Sequence, residues 1–170
     1  MINLVNIRLM EKKDIDGVME QLLRLKHLNE EFDPLLKVSV GNEKEISEKL
    51  SRIIEDRENH IGLVAEDGKR LVGMIMSDVI FRIYYDPKYE ARIREFYVMP
   101  EYRGKGVGMK LLDKLRELAA ERNIKMITAE FPSLNLIASK FYESIDFKEL
   151  IKIYFWADKA IYFSIFPVFT

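Results

Sequence analysis

The 170-residue sequence contains no cysteine and only two histidines, His27 and His60. The absence of cysteine excludes disulfide bonds, thiolate metal sites and a cysteine nucleophile. An acyl group therefore cannot pass through a cysteinyl intermediate. Two histidines argue against a histidine-based zinc site, and we expect no metal cofactor.

The chain also has little net charge and no long apolar run. Its formal net charge is −1, so we expect no broad surface for nucleic acid. Seven charged side chains within the first twenty residues argue against a signal peptide, and the uncharged run at residues 160–170 is too short to span a bilayer. With 48% hydrophobic and 32% charged residues, the composition is globular. We expect a cytoplasmic protein with one domain over residues 1–170 and no membrane association.

The periodicity of apolar residues predicts a mixed α/β protein with about seven strands and about four helices. We predict helices from Asp14 to near Asn29, from a capping box at Asn42 and Glu45, over Val107–Arg122, and from Ser133 or Asn135 to about Ser144. The predicted strands are Ile2–Leu9, Ile61–Glu66, Arg70–Ile83, Ala91–Val98, Lys125–Phe131, Phe147–Trp156 and Ile161–Val168, the last two forming a terminal hairpin. Asp67-Gly68 predicts a tight hairpin turn, and Gly73 a β-bulge.

The most informative segment joins the fourth predicted strand to the longest predicted helix. It reads Val98-Met99-Pro100-Glu101-Tyr102-Arg103-Gly104-Lys105-Gly106-Val107-Gly108. Glycines let a backbone turn its N–H groups toward a ligand, and a helix start adds unpaired N–H groups and the positive end of the helix dipole. This combination favours phosphate or pyrophosphate.

Two common phosphate motifs do not fit this loop. A P-loop would need glycine at Met109, and a dinucleotide fingerprint would need it at Met109 or Leu111. A glycine-rich surface turn that merely caps the helix is the alternative to a binding site. A second pattern follows further along the chain, Asn135-x-x-Ala138-x-x-Phe141-Tyr142-Glu143, closed by Ile145-Asp146-Phe147.

Arg103-x-x-Gly106-x-Gly108 after a strand ending in Val-x-Pro resembles the acetyl-CoA signature of the GNAT superfamily of N-acetyltransferases. The second pattern resembles the Asn, Ala, Phe-Tyr and Leu-Gly-Phe positions of the same family, with Asp146 in place of the usual glycine. The order of elements is also similar. The resemblance implies a mixed sheet that splays open between its fourth and fifth strands to admit the pantetheine arm, and acetyl-CoA as cosubstrate.

The resemblance further implies direct transfer of the acetyl group to a primary amine of a small molecule or peptide. It assigns Tyr142 as the acid that protonates the leaving thiolate, with packing as the alternative, and Glu95 as the base, with an ordinary strand carboxylate paired to Arg92 or Arg94 as the alternative. The oxyanion donor is a backbone N–H near Val98 or Met99. The other residues to which the resemblance assigns cofactor binding are Arg103, Gly104, Lys105, Gly106, Val107, Gly108, Asn135 and Ala138.

The acceptor is left open. In the family it is selected by the first two helices, their connection and the last hairpin. Here the connection carries Glu30, Glu31 and Asp33, which either attract a cationic amine or are simply solvated. The aromatic residues of the last hairpin line an acceptor pocket, cover a homodimer interface or belong to the core. An acyltransferase for longer acyl-CoA and a non-catalytic acyl-CoA sensor are the other functional alternatives.

Overall fold

The computed structural model describes residues 5–166 and confirms a mixed α/β fold. Within these residues there are five strands and five α-helices. The strands are β1 Asn6–Leu9, β2 His60–Asp67, β3 Arg70–Phe81, β4 Tyr89–Val98 and β5 Ile127–Ala129. The helices are α1 Ile15–Glu30, α2 Glu43–Glu55, α3 Val107–Glu121, α4 Leu136–Glu143 and α5 Lys159–Ile165. None of these helices is long and apolar enough to cross a membrane.

The five strands form one sheet in the order β1-β2-β3-β4-β5. The first three pairings are antiparallel, and β4 and β5 are parallel, as a strand–helix–strand crossover through α3 requires. The predicted hairpin turn is confirmed. Asp67 pairs with Arg70, and Gly68 adopts the left-handed conformation that the turn needs, with φ of 64°.

Two β-bulges shape the middle of the sheet. The first leaves Val72 as the extra residue of β3, directly before Gly73, where a bulge was expected. The second leaves Arg94 as the extra residue of β4, between Ile93 and Glu95. A bulge bends its strand and increases the local twist, so β4 changes direction at Arg94.

Helix α3 packs on the sheet through a buried apolar face that includes Leu111, Leu112 and Leu115. Gly73 makes room for this contact, since a Cβ there would lie 3.2 Å from the Leu111 side chain and 3.1 Å from the Tyr97 carbonyl oxygen. A Cβ at Gly108 would lie 3.3 Å from the Phe96 ring. These glycines therefore seat the start of α3 closely against β3 and β4.

The described residues separate into two compact units. The first runs to Leu25 and again from Ser39 to Phe131, and it contains the whole sheet and α3. The second comprises Lys26–Val38 and the chain described from Pro132 onward, including α4 and α5. The expected single domain over residues 1–170 stays a prediction.

The predicted terminal hairpin is wrong over the described residues. Residues 147–158 form no regular element, and Lys159–Ile165 is helix α5 rather than a strand. The Asp158 carboxylate accepts the Ile161 N–H at 2.9 Å and caps this helix. The rings of Tyr162 and Phe166, four residues apart, lie 5.0 Å from each other. The end of the predicted strand, residues 167–168, falls outside the described residues.

Other predicted boundaries need smaller corrections. Helix α2 begins where expected, but its predicted capping box is wrong, because the side chain of Asn42 makes no capping hydrogen bond. Instead the Glu43 carboxylate accepts the Gly41 N–H at 3.0 Å. Residues 2–4 of the first predicted strand lie outside the described residues.

The chain enters α1 through Asp14, a buried carboxylate. It accepts hydrogen bonds from the Arg8 guanidinium at 2.7 and 2.8 Å and from the Glu11 N–H at 2.8 Å. Burial alone would raise the pKa of Asp14, but these hydrogen bonds outweigh it, and the pKa lies below its ordinary value. The ionised carboxylate therefore stabilises the fold above about pH 4, and this contribution is lost as the pH falls further.

We predict that Asp14→Asn lowers the free energy of unfolding at pH 7 by about 1–3 kcal/mol, since it removes the buried carboxylate and leaves the largely buried Arg8 guanidinium with Glu66 as its remaining ionised partner. The difference from the unsubstituted protein should shrink below about pH 4. Urea denaturation at several pH values measures both effects. Asp16→Asn, in the same first turn but exposed, is the control and should change stability little. Equal effects of the two substitutions would contradict the assignment.

Candidate functional site

Strands β4 and β5 separate after three residue pairs. Ala91, Arg92 and Ile93 pair with Ile127, Thr128 and Ala129, and the last bridging hydrogen bond runs from the Glu130 N–H to the Ile93 carbonyl oxygen at 3.1 Å. β4 continues to Val98, well beyond its last β5 pair. The predicted split between the fourth and fifth strands is therefore present, and it begins at the bulge residue Arg94.

The two candidate oxyanion donors at the end of β4 differ in direction. The Met99 N–H donates to the Val72 carbonyl oxygen at 2.9 Å, on the β3 side. Backbone groups of successive residues in a strand point to opposite edges, so those of Val98 point toward the split. The Val98 carbonyl oxygen, which accepts the Arg103 Nε–H at 2.8 Å, lies on that side. Of the two, only the Val98 N–H points into the split.

Between β4 and α3 the backbone presents a run of amide hydrogens. The turn Pro100–Tyr102 is closed by hydrogen bonds from the Tyr102 and Arg103 N–H groups. The next six N–H groups, from Gly104 to Met109, donate to no residue in the described part of the chain. The first helical hydrogen bond runs from the Lys110 N–H to the Gly106 carbonyl oxygen at 3.0 Å. Six consecutive amides without a protein acceptor thus lie where an exposed loop enters the N-terminus of α3.

Two glycines create this backbone shape. Gly104 and Gly106 have φ of 69° and 80°, in the left-handed region that residues with a Cβ rarely adopt. No atom lies within 4 Å of a Cβ built at either glycine, so packing against the protein does not require glycine there. Gly108 differs, since its missing Cβ serves the packing of α3 on Phe96.

The cations of the loop extend over neighbouring aromatic rings. The Arg103 guanidinium carbon lies 5.5 Å from the centre of the Tyr97 ring, and Lys105 Nζ lies 5.9 Å from that of Tyr102. Both side chains are exposed, and the positive charge they bring lies beside the six amides. The loop is therefore suited to an anion with several oxygens, such as a diphosphate.

Glu95, the candidate base, lies half-buried on β4, three residues before Val98. The two arginines named as its alternative partners contact other carboxylates. Arg92 bonds Glu90, which is almost fully buried, while Arg94 bonds Asp78 and Glu130. Glu95 lies on β4, and the loop amides lie on the chain that continues from the end of that strand.

Arg94 forms a charge network that the sequence analysis considered only as a pairing with Glu95. Its guanidinium lies 3.1 Å from Asp78 Oδ2 and 2.5 Å from Glu130 Oε1, and Asp78 Oδ1 lies 2.9 Å from His60 Nδ1. Burial would lower the pKa of Arg94, but the two carboxylates raise it. The pairs in direct contact are 16 to 36 residues apart in sequence, so no local pattern could indicate the network.

The remaining candidates lie on α4, in the second unit. The Asn135 side chain accepts the Ala138 N–H at 3.0 Å and so caps this helix. Tyr142 is buried, with its ring centre 5.2 Å from that of Phe141 and 5.1 Å from that of Phe147. Burial raises the pKa of its phenol, which therefore stays protonated at neutral pH.

The turn after α4 supports the second sequence pattern. Asp146, which stands where the family usually has glycine, adopts φ of 69°. The Phe147 N–H donates to the Tyr142 carbonyl oxygen at 3.0 Å, across a helix end of the Schellman type. The prediction that Asp146 preserves the left-handed turn is confirmed.

Comparison with known proteins agrees with this geometry. Residues 23–147 match the model of the acetyltransferase (GNAT) family. An uncharacterised N-acetyltransferase of Archaeoglobus fulgidus is 36% identical over 86 residues, which are 51% of this chain and 58% of that protein. A thialysine N-epsilon-acetyltransferase of Caenorhabditis elegans is 28% identical over 137 residues, 81% of each chain.

Solved structures share the fold. A predicted acetyltransferase of Clostridium acetobutylicum, crystallised with acetyl-CoA, superposes with a TM-score of 0.74 at 20% identity, covering 91% of this chain and 96% of that one. This likeness establishes the fold of the chain. The chain spans a little over half the length of its archaeal relative.

We predict that Gly106→Val weakens the binding of coenzyme A about tenfold or more, because valine disfavours the left-handed conformation that turns the loop amides outward. Titration calorimetry with the free coenzyme measures this without any acceptor. Gly41→Val is the matched control, since Gly41 also has a positive φ, 96°, and open space around it. Unchanged affinity in Gly106→Val, or an equal loss in Gly41→Val, would refute the role of the loop.

Proposed function

Because the chain belongs to the acetyltransferase (GNAT) family, we propose that it transfers the acetyl group of acetyl-CoA directly to a primary amine of a small molecule or peptide. The observation that carries the proposal is the run of six N–H groups from Gly104 to Met109, which have no acceptor in the described part of the chain and lie beyond the end of β4. Coenzyme A has the diphosphate that such a loop recognises and an arm long enough to reach along β4. We further propose that the protein acts in the cytoplasm.

In the proposed reaction the amine nitrogen attacks the thioester carbonyl carbon. The C–N bond forms, the carbonyl becomes an oxyanion, and the C–S bond then breaks as the carbonyl re-forms, which releases coenzyme A as a thiolate. The nitrogen loses its extra proton in this collapse, and that proton restores the donor that protonates the thiolate. Because the Met99 N–H already donates to Val72, we assign stabilisation of the oxyanion to the Val98 N–H. The loop holds the diphosphate and thereby fixes the thioester beside that donor.

The amine must lose a proton to attack, since a primary amine has a pKa of about 10 in water. We assign this proton to Glu95, directly or through water. The thiolate must gain a proton, and we assign this step to Tyr142. Its buried phenol keeps its proton throughout the neutral range, which suits a proton donor.

We propose a cationic amine as the acceptor. The support is the similarity to a relative named for thialysine, which itself carries a side-chain amine. The acidic connection between α1 and α2 is weaker support, because two of its carboxylates already have partners in the protein. Asp33 accepts the Leu35 N–H at 2.8 Å, and Glu30 Oε2 lies 3.4 Å from His27 Nδ1. Exposed aromatic residues of the C-terminal segment, among them Tyr154 and Trp156, remain our candidates for a homodimer surface, which sedimentation would test.

A screen of amines for thiol release from acetyl-CoA tests the proposed function. The panel contains thialysine, lysine, polyamines, aminoglycosides and peptides with a free N-terminus, each with acetyl-, propionyl- and butyryl-CoA. We expect acetyl-CoA turnover with at least one cationic amine. Preference for a longer acyl group would replace this proposal with a longer-chain acyltransferase. Binding of coenzyme A without transfer to any amine would replace it with a non-catalytic sensor.

We predict that Tyr142→Phe lowers kcat about 10- to 100-fold and leaves the Kd for acetyl-CoA unchanged, because only the proton donor is removed. Steady-state kinetics and calorimetry separate the two quantities. Tyr154→Phe is the control, since Tyr154 lies in the same unit but is 88% exposed. An unchanged kcat in Tyr142→Phe would remove Tyr142 from the mechanism.

We predict that Glu95→Gln lowers kcat/KM about tenfold or more at pH 7, and that the loss narrows as the pH approaches 10. The reason is that the amine in solution loses its own proton at high pH and then needs no base. A pH profile of both proteins between pH 6.5 and 9.5 measures this. A loss that stays constant over the whole range would show that Glu95 does not act as the base.

A further inference from the structure

The split between β4 and β5 begins at a specific ion pair. The last hydrogen bond between the two strands joins Ile93 and Glu130. The next residue of β4 is Arg94, and its Nε lies 2.5 Å from Glu130 Oε1. The ion pair therefore stands at the point where the two strands separate.

The same arginine is the extra residue of the β4 bulge, between Ile93, which pairs with Ser77, and Glu95, which pairs with Met76. A bulge turns its strand and re-aims the side chain at that position. The residue that bends β4 away from β5 thus also supplies the guanidinium that holds the end of β5.

The other side of the guanidinium is fixed to β3. Arg94 NH1 lies 3.1 Å from Asp78 Oδ2, and Asp78 Oδ1 lies 2.9 Å from His60 Nδ1 on β2. Two carboxylates from two different strands therefore orient one planar guanidinium, which is more restrictive than a single ion pair. The chain of contacts runs from β2 through β3 and β4 to the residue after β5.

We propose that Arg94 is a positioning residue that sets where the split begins and how wide it is, and thereby which acyl groups fit between β4 and β5. This inference rests on the proposed function. Half-exposed ion pairs contribute little to overall stability, so the network is expected to act locally. β5 is only three residues long and has three pairs with β4, so the ion pair extends a short ladder at its end.

Hydrogen exchange tests the local claim without any ligand or acceptor. In Arg94→Gln the amide of Glu130, which donates to Ile93, should exchange about tenfold faster or more, while amides of β2 and β3 keep their rates. Glu66→Gln is the control, because it removes a carboxylate from another inter-strand ion pair, 3.2 Å from Arg8, away from the split. Unchanged exchange at Glu130 in Arg94→Gln would overturn the proposal.

Acyl selectivity tests the functional claim. The ratio of kcat/KM for acetyl-CoA to that for butyryl-CoA should change about threefold or more in Arg94→Gln and in Glu130→Gln, and not in Glu66→Gln. The double variant Arg94→Gln/Glu130→Gln should match Arg94→Gln, because that substitution already removes the contact with Glu130. Arg94→Lys keeps one ion pair and should lie between Arg94→Gln and the unsubstituted protein.

The two possible failures are distinguishable. A protein that transfers no acyl group at all overturns the proposed function, while the exchange rate of the Glu130 amide still decides whether Arg94 holds the split. Normal activity with an unchanged selectivity ratio in Arg94→Gln, or additive effects in the double variant, overturns the role of Arg94 and leaves the proposed function standing.

Discussion

Two left-handed residues, Gly104 and Gly106, set the shape of the backbone between the fourth strand and α3. Residues with a Cβ rarely adopt this conformation, and the six consecutive N–H groups from Gly104 to Met109 donate to no residue in the described part of the chain. An unpaired backbone donor needs water or a ligand, and six of them beside a helix N-terminus favour an anion with several oxygens. In the proposed reaction, the binding of the coenzyme and the position of the thioester both depend on that loop.

The sheet supplies the second constraint. Closely packed glycines at positions 73 and 108 seat α3 against the sheet, which fixes the loop at the mouth of the split. The bulge at Arg94 then turns β4 away from β5, so one strand provides the candidate base and the candidate oxyanion donor, and it leads directly into the loop at residues 103–109. The chemistry proposed for the protein is thus largely arranged along β4 and its continuation into α3.

Features with a local cause could be predicted from the sequence. The turn at Asp67-Gly68, helix α3 and the loop before it each depend on a few adjacent residues whose conformational preferences are strong. The left-handed Asp146 belongs to the same group. The conformation of the loop before α3 could be predicted for the same reason, since its glycines and the helix are contiguous in sequence.

Features that depend on distant or ambiguous residues could not be predicted. The contacts of Arg94 with Asp78 and Glu130 join three strands, and no spacing in the sequence indicates them. The strand predicted from Ile161 was wrong for a different reason. This run is apolar at nearly every position, so the periods of a strand and of a helix fit it equally. The signal that distinguishes them is Asp158, whose carboxylate caps the helix.

The proposal that the loop amides bind the diphosphate of coenzyme A is tested most directly by nuclear magnetic resonance of the ¹⁵N-labelled protein titrated with coenzyme A. The account predicts that the amides of Gly104 to Met109 show the largest chemical-shift changes, because their hydrogens bond the diphosphate. The shifts should be much smaller with pantetheine, which lacks the diphosphate. Saturable binding of coenzyme A that leaves these six amides unshifted would contradict the account.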